Sequence, residues 1–289
     1  MANEVLRVAD RGLGGTLQDQ GRCGWRRFGV PPSGVMDDHA SFWANRLLDN
    51  SPGATVIELL LQGAKFEALR DIWVAVSGAE VETNLPLWRP VRVKAGDRIE
   101  LKQNRSGRWT YLAVEGGLGG PKFFGSRSAY VRGEIGSALA DGDVLIKQGG
   151  KPFELPPGIA GRTIPSLERR DYDHPPALKV WVAPQADIFG GKQRERFFET
   201  LWTVTPESDR VGYRLAGAPL EFPSGQLLSE PVRVGTIQVP ENGMPIVTMR
   251  DGPTVGGYPK LGILDPSDVS WLAQCRPGQQ VRFRPAHET

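Results

Sequence analysis

Glycine and proline recur throughout this sequence and separate short apolar runs that favour β-strands. The chain has 36 glycines and 24 prolines among 289 residues, which predicts many turns and little helix. The runs at 71–83, 109–117, 178–184 and 235–240 are rich in β-branched and aromatic residues. Many short strands joined by such turns are typical of barrels and sandwiches. The sequence therefore predicts a mainly β protein.

One pattern of turn and strand occurs three times. The stretches "VKAGDRIEL" (93–101), "LADGDVLIK" (139–147) and "CRPGQQVRF" (275–283) each place a glycine in a turn that leads into an alternating strand. The pattern is too short to establish a repeat, but it indicates similar β units in both halves of the chain.

A change of composition divides the chain. Residues 149–176 are rich in proline, glycine and charge and show no sustained periodicity, which indicates a linker or a long surface excursion. We therefore expect an N-terminal β domain over 1–148 and a C-terminal β domain over 177–289. Either half is long enough to bury a core of its own.

Helix signals are few. The clearest is "DDHASFWANRLLDN" (37–50), where apolar residues recur at helical spacing behind two aspartates that suit an N-terminus. Weaker patterns predict helices at 191–202 and 266–275.

Charge and missing motifs narrow the possible functions. The formal net charge is +2 and the basic residues are scattered, so nothing favours nucleic acid or an acidic membrane. The phosphate-binding, dinucleotide-binding and nucleophile-elbow motifs are absent. The chain has three histidines and no H-E-x-x-H, which argues against a histidine-based metal site. It also lacks the Met-Lys-Met of a biotin carrier. We expect no metal, and no cofactor bound by this chain alone.

The sequence favours a cytoplasmic protein with free thiols. The stretch "MANEVLRVADRGLGG" (1–15) lacks the apolar core of a signal peptide, and no run approaches the length of a membrane span. Cys23 and Cys275 lie far apart in sequence and have no ligand spacing around them. In a reducing compartment two free thiols are expected.

The loop "DGPTVGGYPKLG" (251–262) is the most unusual stretch. Gly256 and Gly257 permit either a positive φ or a close approach of the backbone, and the proline after Tyr258 holds that tyrosine in extended geometry. Lys260 follows at once. The simplest interpretation is a tight turn with a solvated lysine, since glycine and proline mark turns more often than sites. The alternative is a binding loop.

A second candidate stretch is "GWRRFGVPPSGVMDDHA" (24–40), which joins a proline-stiffened loop to the predicted helix. Ser33 and the N–H groups at the helix start suit a carbonyl or carboxylate group. The competing interpretation is a loop that only caps the helix, because Asp37 and Asp38 would repel an anion.

Two further clusters combine arginine with tyrosine. In "ESDRVGYRL" (207–215), Arg210 and Arg214 would share one face of a strand and hold a carboxylate or phosphate, with Tyr213 between them. The cluster at 124–133, "FGSRSAYVRG", has the same character. Either is equally compatible with a solvated strand face.

Taken in order, these stretches resemble one family. The similarity begins at "TLQDQGRCGWRRFGVPPSGVMDDHASFWANRLLDN" (16–50), continues through "YLAVEGGL" and "GSRSAYVRG", and ends with "LSEPVRVGTIQVPENGMPIVTMRDGPTVGGYPKLG" (228–262) and "RPGQQVRF". On these motifs the chain resembles the biotin-dependent carboxyltransferase-like group, which includes allophanate hydrolase subunit 2, KipA and the C subunit of 5-oxoprolinase. The resemblance covers nearly the whole chain outside the proposed linker.

The resemblance implies a fold, partners and an activity. It implies two cyclophilin-like β-barrel domains and an active site shared with a KipI-like B subunit of the 5-oxoprolinase. The activity implied is ATP-dependent conversion of 5-oxoproline to L-glutamate, in which the A subunit of the 5-oxoprolinase handles ATP. A protein of this kind is expected to be inactive alone.

The resemblance also implies site residues. Lys260 and Tyr258 are the expected catalytic pair of the G-G-Y-P-[KR] loop, in which Lys260 holds a carboxylate and Tyr258 offers a flat face and a hydroxyl. Six further residues are expected to bind substrate, namely Ser33, Arg210, Tyr213, Gln238, Gly256 and Gly257. Pro253 stands where many relatives have Gln, which predicts a change in substrate or activity if that Gln binds substrate.

Two other functions remain open from the sequence. One is a carboxyltransferase that acts on urea or a related amide through carboxybiotin, with biotin as the cofactor. The other is a non-enzymatic regulator that binds a KipI-like kinase inhibitor, which predicts tight partner binding and no loss of turnover when Lys260 is replaced.

Overall fold

The computed structural model describes residues 3–148, 157–223 and 227–286, and these group into two compact units. The first unit takes residues 3–22, 33–148 and 157–171, and the second takes 23–32, 172–223 and 227–286. Within the predicted linker, residues 149–156 lie outside the described residues, while 157–171 belong to the first unit. The short excursion 23–32, which the sequence placed with the N-terminal domain, belongs to the second.

The first unit is built on an antiparallel eight-stranded sheet. Its strands are β1 (Glu4–Arg11), β2 (Gly15–Gln18), β3 (Val56–Leu60), β4 (Gln62–Ala68), β5 (Ile72–Thr83), β6 (Pro90–Val93), β7 (Arg98–Val114) and β8 (Val144–Ile146). The order is β2-β3-β7-β4-β1-β8, and β5 pairs with both β6 and β7.

The long strand β7 organises this unit. It pairs with β4 near its start, where Leu101 opposes Ala64, and with β3 near its end, where Leu112 opposes Ile57. Because β5 also runs along it, β7 contributes to three strand pairings at once. Side chains such as Ile99 and Leu112 are completely buried in the resulting core.

Local signals place the helix and turns as expected. The predicted helix forms as α1 (Asp38–Leu47), and the carboxylate of Asp37 accepts a hydrogen bond from the Ala40 N–H at 3.0 Å. This satisfies one of the amide groups that a helix start leaves without a partner. The glycines of the three repeated turns, Gly96, Gly142 and Gly278, have φ values of +88°, +89° and +86°. Each allows a turn that most side chains would strain.

The second unit also has an eight-stranded sheet. Its elements are β9 (Leu178–Val182), α2 (Gly190–Glu199), β10 (Trp202–Val204), β11 (Gly212–Ala216), β12 (Glu230–Pro231), β13 (Thr236–Gln238), β14 (Ile246–Thr248), β15 (Val255–Gly256), β16 (Lys260–Leu264), α3 (Pro266–Gln274), β17 (Gln280–Val281) and β18 (Phe283–Pro285). The order is β17-β10-β11-β14-β13-β16-β9-β18. Strands β12 and β15 form a separate two-stranded ribbon, called the β12–β15 ribbon below.

The prediction of a mainly β protein is confirmed, and so are the three predicted helices, each within a few residues of its expected bounds. None of the helices in the described part of the chain is long and apolar enough to cross a membrane.

Candidate functional site

The β12–β15 ribbon positions the loop that the sequence singled out. Glu230 opposes Gly256 and Pro231 opposes Val255. The N–H of Val232 donates to the carbonyl oxygen of Thr254 at 2.9 Å. The chain then runs into β16, which begins at Lys260 and pairs with β13.

Lys260 is enclosed rather than solvated. Its ammonium group donates to Glu230 Oε2 at 2.8 Å and to the Pro231 carbonyl at 3.1 Å, and only 12% of its side chain is exposed. Gln185 links the same groups, because its amide donates to Glu230 Oε2 at 2.9 Å and its oxygen accepts from the Lys260 N–H. An ammonium group has three hydrogens, and the described residues supply acceptors for two of those of Lys260, which leaves one donor for a ligand. The interpretation as a solvated lysine is wrong.

Gln238 lies directly opposite Lys260 in the pairing of β13 with β16. Its side chain is 5% exposed, and its amide nitrogen has no hydrogen-bond partner among the described residues. A Cβ atom at Gly256 would lie 2.6 Å from that nitrogen, which is shorter than non-bonded atoms tolerate. We call Gln185, Glu230, Gln238, Gly256 and Lys260 the Lys260 cluster.

The two glycines of the loop have different roles. Neither Gly256 nor Gly257 is among the described residues with positive φ, and the expected close approach of the backbone is found at Gly256 alone. Position 256 requires glycine because a Cβ atom there would collide with the side chain of Gln238. A Cβ atom at Gly257 would meet its nearest neighbours at 3.5 Å, an ordinary contact.

Tyr258 presents its side chain to solvent. It is 51% exposed, whereas the following Pro259 is buried and its carbonyl accepts from the Val239 N–H at 3.0 Å. The backbone on one side of the tyrosine is therefore fixed while the ring stays accessible. An exposed aromatic ring can pack against a flat heterocycle.

Arg210 makes an internal ion pair. Its Nε and one terminal nitrogen donate to the two carboxylate oxygens of Asp251 at 2.7 and 3.1 Å, and Asp251 is almost completely buried. The Asp251 N–H also donates to the Arg210 carbonyl. Arg210 precedes β11, so the expectation that it shares a strand face with Arg214 is wrong. This bidentate pair fixes the start of the loop.

Tyr213 and Ser33 are buried and engaged. The Tyr213 hydroxyl donates to the Ala273 carbonyl near the end of α3, and its side chain has no exposure. Ser33 lies in the first unit with φ +53°, and its hydroxyl accepts from an Arg22 nitrogen at 2.9 Å. Substrate binding by Ser33, Arg210 and Tyr213 stays a prediction that their hydrogen bonds do not favour, and none of the three belongs to the Lys260 cluster.

Two members of the cluster were missed in the sequence. Glu230 lies within the motif "LSEPVRVG", but nothing local marks it as the partner of a lysine 30 residues away. Gln185 carries no motif at all. No group of three or more His, Cys, Asp or Glu side chains in the described ranges is arranged to hold a metal ion.

Comparison with known proteins places this architecture in a family. The family model described as carboxyltransferase domain, subdomain A and B, matches residues 28–285. The C subunit of the Escherichia coli (strain K12) 5-oxoprolinase is 34% identical over 288 residues, with 96% of this chain and 90% of that protein covered.

Solved structures agree with this match. The crystal structure of TTHA0988 has a TM-score of 0.87 at 32% identity, covering 98% of this chain but 56% of that one. The urea carboxylase of Kluyveromyces lactis has a TM-score of 0.87 at 28% identity, covering 97% of this chain and 27% of that one. This chain therefore spans little more than half of the first structure and about a quarter of the second. On the family match, which covers most of its length, the chain belongs to the carboxyltransferase domain family of subdomains A and B.

Proposed function

We propose that this protein is the C subunit of an ATP-dependent 5-oxoprolinase, which converts 5-oxoproline to L-glutamate. The observation that carries the proposal is the similarity to the corresponding Escherichia coli protein over 96% of this chain and 90% of that one. The chain lacks a phosphate-binding loop of its own. The chemistry that consumes ATP is therefore assigned to the A subunit.

The Lys260 cluster supplies groups suited to a small lactam acid. The remaining ammonium hydrogen of Lys260 would donate to a carboxylate or carbonyl oxygen, and Glu230 and Gln185 hold that ammonium in place. The exposed ring of Tyr258 would pack against the lactam ring. Gly256 packs directly against the side-chain amide of Gln238, so we assign Gln238 the role of supporting the loop.

A partner on this ribbon is supported by its exposed apolar side chains. Leu228 is 90% exposed, and Val255 and Tyr258 are exposed on the other strand or just after it. Large apolar side chains close together on a surface mark interaction sites. We assign this surface to a KipI-like B subunit that completes the active site.

The alternative is the carboxyltransferase component of a biotin-dependent urea or amide carboxylase. It is favoured by the structural similarity to the Kluyveromyces lactis urea carboxylase. The accessible Tyr258 ring and the remaining Lys260 donor fit a flat ureido ring and an anionic carboxyl group, as they fit a lactam acid. Carboxybiotin would supply the carboxyl group, and this chain would orient it.

The test is glutamate release from 5-oxoproline and ATP by this chain with the purified A and B subunits, repeated with each component omitted. The proposal requires turnover only when all three are present. No turnover by a properly assembled mixture excludes it. Carboxylation of urea in the presence of a biotinylated carrier would then support the alternative, whereas tight binding of the KipI-like partner without either reaction would support a regulator.

A further inference from the structure

A cavity of about 400 Å³ lies within the first unit, and the candidate site described above does not use it. Its lining includes Asp19, Gln20, Asn50, Lys122, Arg127 and Gln148. The volume is in the range of small-molecule sites. The charged and amide side chains that line it would bind a polar ligand.

Hydrogen bonds from neighbouring residues fix the side chain of Asp19 in the cavity lining. Its carboxylate accepts hydrogen bonds from the hydroxyls of Ser126 and Ser128 and from the N–H groups of Gly21 and Arg127. Burial opposes ionisation of Asp19, but these hydrogen bonds outweigh it and hold its pKa below the usual value. Asp19 is therefore an ionised carboxylate fixed by its own neighbours.

Asn50, another residue of the lining, is also held in place by hydrogen bonds. Its amide donates to Asn45 Oδ1 at 2.9 Å and to the Val114 carbonyl at 2.8 Å, and its oxygen accepts from the Gly116 N–H at 2.7 Å. Two residues of the lining, Asp19 and Asn50, are therefore fixed before any ligand binds. Preformed walls reduce the ordering that binding requires.

Two cations on the lining have donors to offer. Arg127 uses its Nε to donate to the Gly120 carbonyl at 3.1 Å, and its two terminal nitrogens have no hydrogen-bond partner in the described part of the chain. Lys122 is exposed, and its ammonium group makes no ion pair with any described residue. With Asp19 ionised, the charged lining residues sum to one net positive charge.

We propose that this cavity binds a small organic monocarboxylate, whose carboxylate group is held by Arg127 and Lys122. A single net positive charge matches a monoanion better than a doubly charged phosphate. The cavity is much larger than a carboxylate group, so the body of the ligand would contact the amide groups of Gln20 and Gln148. A guanidinium group offers paired donors in the geometry that a carboxylate accepts. The assignment does not depend on the proposed function.

The experiment is isothermal titration of the full chain with 5-oxoproline and with acetate as monocarboxylates, and with 2-pyrrolidinone and inorganic phosphate as comparisons. We expect saturable binding of a monocarboxylate, with 2-pyrrolidinone and phosphate clearly weaker. Lys122→Gln and Arg127→Gln should each weaken binding about tenfold, since a charge-assisted hydrogen bond contributes at least that much.

Matched controls are Lys94→Gln and Arg98→Gln, which remove exposed cations of the same unit outside the cavity lining. Both should bind like the unchanged chain. Lys122 is exposed, so its variant retains the fold even if the Arg127 variant does not, and thermal melting distinguishes the two cases. The proposal is overturned if neither monocarboxylate binds, if the Lys122 and control variants behave alike, or if phosphate or 2-pyrrolidinone binds as tightly.

Discussion

Gln238 and Lys260 occupy directly opposed positions on the antiparallel strands β13 and β16. Opposed residues of an antiparallel pair project from the same face, so both side chains reach the β12–β15 ribbon. Gly256 of that ribbon lies against the amide of Gln238, and Glu230, which opposes Gly256, binds the ammonium group of Lys260. The β12–β15 ribbon therefore contacts the sheet through two neighbouring pairs of residues, Gly256 with Gln238 and Glu230 with Lys260.

The first prediction concerns the close approach at Gly256. Gly256→Ala places a Cβ atom 2.6 Å from the buried Gln238 nitrogen and 3.0 Å from a Val232 methyl group. We expect a loss of about 1–3 kcal/mol in unfolding free energy, the usual cost of overpacking. Urea denaturation of the purified chain measures it.

Gly257→Ala is the matched control, because its Cβ atom would lie 3.5 Å from its nearest neighbours, an ordinary van der Waals contact. Its unfolding free energy should change by less than about 0.5 kcal/mol. In a Gln238→Ala background the cost of Gly256→Ala should fall by at least half. Equal losses for the two glycine variants would contradict the assignment.

The second prediction concerns Lys260 in the assembled complex. Lys260→Ala should lower glutamate release about 100-fold or more, because a positioned cation at a developing negative charge contributes that much. Glu230→Gln keeps the ammonium group but removes the partner that positions it, so we expect a smaller loss of about tenfold. Steady-state turnover with the A and B subunits gives both values.

Lys192→Ala serves as the control, since Lys192 is an exposed lysine on α2 of the same unit. It should leave turnover unchanged. Unaltered turnover in a Lys260→Ala complex that still assembles would remove Lys260 from the catalytic machinery.

Short-range features of this fold were predictable from sequence, whereas long-range pairings were not. The turn glycines Gly96, Gly142 and Gly278 and the helix cap Asp37 act within a few residues, so local chemistry was sufficient. The loop around Lys260 stands out in the sequence because its composition is unusual.

Other features depend on contacts between distant parts of the chain. Tyr213 is completely buried, and its hydroxyl donates to the carbonyl of Ala273, which is 60 residues away. The partners of Lys260 come from 30 and 75 residues away. No periodicity or motif encodes such pairings, so the sequence shows neither the interior position of Tyr213 nor the contact between Glu230 and Lys260.

The third prediction concerns the pH dependence of stability at Asp19. Its pKa in the folded protein lies below the ordinary value of 3.8, because the hydrogen bonds to its carboxylate outweigh burial. A depressed folded pKa means that the stabilisation is fully present above the unfolded pKa and is lost as pH falls through the folded one. We expect thermal stability to fall below about pH 4.

Asp19→Asn separates this contribution from the other carboxylates. The amide cannot accept the four hydrogen bonds of the carboxylate, so the variant should be less stable at pH 7. The difference in melting temperature between the two proteins should shrink as pH falls from 5 to 3. A difference that stays constant over that range would show that ionisation of Asp19 does not stabilise the fold.

The last prediction concerns the two thiols, which form no disulfide. Cys23 is exposed, whereas Cys275 is completely buried at the end of α3, and burial raises the pKa of its thiol to about 12. A disulfide-exchange reagent attacks through the thiolate form, so at pH 8 only Cys23 should react rapidly. Titration of the native chain with a chromogenic disulfide should therefore release one equivalent of the coloured thiol at once and the second only after denaturation.

The control variant Cys23→Ser should abolish the rapid equivalent and leave the slow one. Two rapid equivalents in the native chain would place Cys275 within reach of solvent and contradict the packing of α3.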